Sequence, residues 1–77
     1  MKTIPIKGTI VSNDDKWIYD WFDIEAVCPK DVAKQLNEAN GEDITVEINS
    51  GGGDVFAGNE IYYMFTQYKG KMSIDIV

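Results

Sequence analysis

Residues 44–58, Ile44-Thr45-Val46-Glu47-Ile48-Asn49-Ser50-Gly51-Gly52-Gly53-Asp54-Val55-Phe56-Ala57-Gly58, decide the fold. Their first part alternates: Ile44, Val46 and Ile48 point one way, Thr45 and Glu47 the other. That period of two predicts a strand over 43–49 with one buried face. Ser50-Gly51-Gly52-Gly53 cannot continue a regular element, because glycine is weakly held in any one conformation. Asp54 follows as a helix N-cap. Behind it Ala57, Ile61, Met64, Phe65 and Tyr68 recur at helical spacing, which predicts a helix over 55–69 ended by Gly70. Residues 72–77 alternate again, Met72, Ile74 and Ile76 against Ser73, Asp75 and Val77. A strand, a helix and a strand in this order make a parallel pair with a right-handed crossover.

Working towards the N-terminus, Pro29 suits the first position of a helix, where a missing N–H costs nothing. Val32, Ala33, Leu36 and Ala39 then share a face, and Asn40-Gly41 closes the helix. Residues 3–11 put Ile4, Ile6 and Ile10 in even positions, a strand interrupted by Gly8. Pro5 cannot donate a ladder hydrogen bond, so this strand lies at a sheet edge or begins there. Ser12-Asn13-Asp14-Asp15 reads as a turn whose side chains bond their own backbone. Residues 16–28, KWIYDWFDIEAVC, carry two periods at once. Trp17, Tyr19 and Trp21 alternate, while Trp17, Trp21 and Ile24 fit a helical face. The segment is assigned as irregular, with its aromatics packed in the core or an oligomer contact rather than stacked on a ligand. The order β, irregular, α, β, α, β is an α/β chain.

Seventy-seven residues make at most one domain, so 1–77 holds a single small core. An apolar content of 44 % with 12 % aromatics belongs to a folded chain. The net charge is −6 and all seven basic residues are lysines without a basic patch, which excludes nucleic-acid binding by phosphate neutralisation. No run approaches the roughly 20 apolar residues of a membrane span. The opening MKTIPIKG lacks a secretory apolar run, so a cytoplasmic location is expected. The single cysteine, Cys28, rules out an internal disulfide and reads as a packing residue, since the sequence has no histidine to activate it. No pattern supports a metal site or a carboxylate pair, and no cofactor is expected.

The strand–SGGGD–helix junction is the one place shaped for chemistry. Bare backbone N–H groups next to a helix N-terminus can hold an anion or the oxyanion of an acyl-transfer intermediate. A Walker-type loop would need a lysine and a Ser/Thr where Asp54 and Val55 stand. A dinucleotide fingerprint would need glycine at Phe56. On the glycines alone, a tight turn with no further role remains open.

The stretch Ile48-Asn49-Ser50-Gly51-Gly52-Gly53-Asp54-Val55-Phe56-Ala57-Gly58, continuing to Ile61-Tyr62, resembles the I-N-S-P-G-G-x-V-x-x-G-x-x-I-Y segment of Clp proteolytic subunits. It looks closest to the phage-encoded head-maturation (prohead) proteases. Asp31-Val32 and Leu36 before the Ile44 strand run in the same order. The resemblance covers most of residues 3–77, and its specific part is about fifteen residues long. It implies a partial ClpP/crotonase-like superhelix of β-β-α units. It also implies that Gly53 offers its N–H to the oxyanion, that Gly52 shapes the turn, and that the backbone near Val55 pairs with an extended polypeptide substrate. Asn49 and Ser50 would hold the turn. Gly51 departs from the family, where many members have proline.

That family works through a Ser-His-Asp triad, its nucleophile in a small-residue turn shortly after the strand matching 72–77. This sequence has no histidine, and Ser12, Ser50 and Ser73 do not occupy the nucleophile's place. The resemblance therefore implies an N-terminal fragment of an ATP-dependent Clp-like serine endopeptidase, inactive alone. Implied partners are the polypeptide substrate, ring-forming copies of the parent, and an AAA+ unfoldase or phage capsid proteins. In a fragment, the strand at 72–77 would lose cover on one edge, and self-association through 72–77 or the aromatic segment 17–24 is expected. Two other readings stand beside this one: a non-enzymatic short subunit or scaffold module, and a crotonase-like fold binding an acyl-CoA thioester.

Overall fold

The alternating runs build the central sheet. The computed structural model describes residues 2–77 and places along them β1 (Lys2–Lys7), β2 (Thr9–Ile10), α1 (Lys16–Trp21), β3 (Ala26–Val27), α2 (Pro29–Ala39), β4 (Ile44–Asn49), α3 (Val55–Gln67) and β5 (Met72–Ile76). Strands β1, β4 and β5 form one sheet in the order β1-β4-β5 with both pairings parallel. The register puts Ile4, Val46 and Ile74 side by side, with Ile6, Ile48 and Ile76 beside them. Paired residues stand on the same face, so the even-numbered residues of the three strands, all apolar except Lys2, lie on one face.

That face carries the core. Ile4, Ile6, Ile44 and Val46 are buried against Val32, Leu36 and Ala39 of α2, Ile61 of α3, and Val27. Each large aliphatic side chain buried this way contributes about 1.5–3 kcal/mol. Helix α2 begins at Pro29 and closes on Asn40 in the left-handed region (φ 48°), as its sequence predicts. Strand β1 lies at the sheet edge, the place Pro5 requires. The α/β class and the order of parallel strands and helices are compatible with a partial β-β-α unit.

Four local expectations are corrected. The strand expected over 3–11 is two strands in two sheets. Gly8 (φ 80°) turns the chain away, and a Cβ there would meet the Glu25 carbonyl oxygen at 2.2 Å. Strand β2 pairs in parallel with β3 instead, Thr9 with Ala26 and Ile10 with Val27. The irregular segment 16–28 contains α1 and β3. Of its two periods the helical one prevails, helped by the Lys16–Asp20 ion pair one turn apart (2.7 Å) and by the Ile24 N–H donating to the Tyr19 carbonyl (2.8 Å). Its aromatics do not enter the core: no residue of α1 is buried. The turn at 12–15 does not bond its own backbone through Asn13. Asn13 Oδ1 accepts from the Lys30 N–H (2.9 Å) and so serves the unpaired first turn of α2. Helix α3 ends at Gln67 rather than at Gly70, because Tyr68 turns extended (φ −69°, ψ 135°) and donates its hydroxyl to the Glu42 carbonyl.

Candidate functional site

Strand β4 delivers the chain to Asn49, and α3 takes it up at Asp54. The loop between them is tied by one side chain. Ser50 Oγ donates to the Gly8 carbonyl (2.6 Å) and accepts from the Gly52 N–H (3.0 Å). Both its functions as a hydroxyl are thereby used. The loop then runs beside β2: the Ile10 N–H donates to the Gly52 carbonyl (3.0 Å), and the Asp54 N–H donates to the Ile10 carbonyl (2.8 Å). This is a parallel bridge centred on Gly53.

The bridge sets the direction of the Gly53 backbone. In a parallel ladder, a residue whose two neighbours bond the adjacent strand turns its own N–H and C=O to the opposite side. The Gly53 N–H therefore points away from β2, and among the described residues it donates to no acceptor. Glycine is required there. A Cβ on Gly53 (φ 150°) would sit 2.2 Å from the Ile10 carbonyl oxygen and 2.9 Å from its nitrogen. Gly52 (φ 102°) has its N–H spent on Ser50, which leaves it the turn itself.

Asp54 caps α3: its Oδ1 accepts from the Ala57 N–H (2.9 Å), and its carbonyl accepts from the Gly58 N–H (2.9 Å). Val55, the first residue of α3, is exposed, as is Phe56. First-turn N–H groups have no intrahelical acceptor. Val55 can thus offer its N–H, while its carbonyl belongs to the helix. Gly53, Val55 and Phe56 line up free donors at the positive end of a 13-residue helix, with the Asp54 carboxylate among them. The Asp54 charge takes part of the helix dipole for itself.

Among the described residues no nucleophile is placed facing these donors. Ser73 lies exposed on the polar face of the sheet. Cys28 is buried at the start of α2, and burial pushes its thiol above its ordinary value, which disfavours the nucleophilic thiolate. Lys16 is held by Asp20 and Asp31, and the hydrogen bond to Asp20 raises its ammonium above the ordinary value. Among the described residues no three His, Cys, Asp or Glu side chains gather as a metal site. No described helix is long and apolar enough to cross a membrane.

Sequence reasoning missed two of the loop's partners, Ile10 and Gly8. Both lie about forty residues upstream of the loop in sequence. The only signal was Ile10's even position beyond Gly8, which does not say which strand it would join.

A family model described as Clp protease matches residues 22–77, from the residue after α1 through β5 and including the glycine loop. No match was found among curated proteins or among solved structures.

Proposed function

The chain belongs to the Clp protease family, and from that premise we propose that it supplies the oxyanion-binding and substrate-facing part of a serine endopeptidase subunit. The observation that carries this is the Gly53 N–H, turned outward by the Ile10 bridge and without an acceptor among the described residues. A tetrahedral intermediate of peptide hydrolysis puts negative charge on the former carbonyl oxygen. A donor fixed beforehand at a helix N-terminus stabilises that charge without reorganising.

The same bridge leaves the Gly53 N–H and C=O as an open edge of the small β3-β2 sheet. An extended polypeptide can add there as a further strand, its backbone read by Gly53 and the Val55 N–H. Hydrolysis also needs a nucleophile and a base. The sequence holds no histidine, and Ser50 is committed to Gly8 and Gly52. We assign those groups to residues outside this chain, so that these 77 residues act as a fragment of a longer, triad-bearing subunit and are inactive alone. The prohead-type relatives, dependence on an AAA+ unfoldase or capsid proteins, ring assembly and a cytoplasmic setting belong to the same proposal.

Fluorophosphonate labelling tests it. The 77-residue chain is expected to stay unlabelled, and a longer protein containing it to be labelled at one serine outside residues 2–77. Label on Ser50 or Ser73, or none on the longer protein, sinks the reading. Replacing the Gly53 amide by an ester in that protein is expected to lower kcat by about 10²–10³-fold with KM little changed.

A further inference from the structure

Residues 14–25, DDKWIYDWFDIE, hold five acidic residues against Lys16, a net charge of −4 where the whole chain has −6. All five carboxylate residues, Asp14, Asp15, Asp20, Asp23 and Glu25, are exposed. Lys16 is spoken for by Asp20 (2.7 Å) and Asp31 (3.6 Å). Inside this acidic rim stand Trp17, Trp21 and Phe22, 65 %, 78 % and 66 % exposed, with Ile24 half exposed. Trp17 and Trp21 are one turn apart on the same side of α1. Large aromatics grouped in water mark a surface meant to be covered.

The patch is already shaped. Lys16 ties α1 to Asp31 of α2, the Ile24 N–H closes on the Tyr19 carbonyl, and Asp23 takes a left-handed turn (φ 56°) between them. A partner would have little to order on this side. Charge selects the partner. A second copy would bring −4 against −4, and an anionic bilayer or a nucleic acid would meet the same repulsion. A basic partner gains twice, since arginine can lie on an indole face while pairing with a neighbouring carboxylate.

We infer that the aromatic face of α1, with its acidic rim, is a docking surface for a basic polypeptide segment carrying apolar side chains between arginines or lysines. Helix α1 lies before the family-matched residues. Trp17 and Trp21 are the two tryptophans of the chain, so its tryptophan emission reports from this patch alone.

The test is a fluorescence titration of the 77-residue chain with a synthetic amphipathic leucine–arginine peptide, beside the same peptide with glutamate for arginine. The arginine peptide is expected to give a saturable blue shift and the glutamate peptide none. Affinity should fall about tenfold between about 50 and 500 mM salt. Trp21→Ser should abolish the shift from Trp17 with the urea midpoint unchanged, and Asp20→Asn with Asp23→Asn should weaken binding several-fold. Equal response to both peptides, no response, a blue shift from raising the chain's own concentration, or one from phosphatidylglycerol vesicles would each overturn the proposal.

Discussion

At the residue scale, the glycines of the 50–54 loop are not equivalent, although the sequence presents them as a run. Gly51 has open space where a Cβ would stand, whereas Gly53 has the Ile10 backbone there. Gly53→Ala is therefore expected to cost about 3 kcal/mol, through overpacking against main chain at a φ that side chains avoid. That is a large share of the roughly 4–11 kcal/mol available to a domain of this length. Gly51→Ala should stay within about 0.5 kcal/mol of the parent. Urea denaturation of the two variants checks the contrast, and similar midpoints would show that the Ile10–Gly53 approach does not hold in solution. The importance of a bare loop was legible in the sequence; which glycine is indispensable was not, because that depends on Ile10, which the chain brings back from 43 residues upstream.

At the scale of elements, the long amphipathic ones were legible and the short ones were not. Helix α2 and strand β4 have a clear period and a buried face, and their ends fall within a residue of expectation. Helix α1 has six residues and no buried one, so its sequence carries no single period for its packing to reveal. The Asp54 cap was legible too, as an Asp before an apolar helical run, and its carboxylate accepts from Ala57. Asp54→Ala should destabilise the fold by about 1 kcal/mol, while Asp54→Asn keeps the acceptor and loses only a few tenths. Thermal unfolding of the pair distinguishes a hydrogen-bonded cap from a purely electrostatic one, which would make the two variants alike.

At the scale of the whole molecule, the sheet has two unlike edges. The β1 edge is blunted by Pro5 and flanked by Lys2 and Lys7. The β5 edge has no proline: Ile74 and Ile76 are 60 % and 78 % exposed, beside an apolar groove lined by Ile61, Tyr62, Phe65 and Met72. An uncovered strand with apolar neighbours pairs with other chains. Sedimentation velocity of the chain is expected to show concentration-dependent self-association, abolished by Ile74→Lys. A monomer at all concentrations would mean that edge exposure alone does not drive pairing here.

The sequence by itself determined the α/β class, the parallel β4-α3-β5 unit and the place of the glycine loop between strand and helix. Those follow from local periods and from residues whose conformational limits travel with them. Only the tertiary structure decided that residues 2–10 split between two sheets at Gly8, that the loop is pinned by Ser50 to Gly8, and that the Gly53 N–H faces outward. It alone also decided that the tryptophans of α1 stand in water rather than in the core. Each of these depends on a contact between residues far apart in sequence or on what is left without one, and a local pattern of side chains encodes neither.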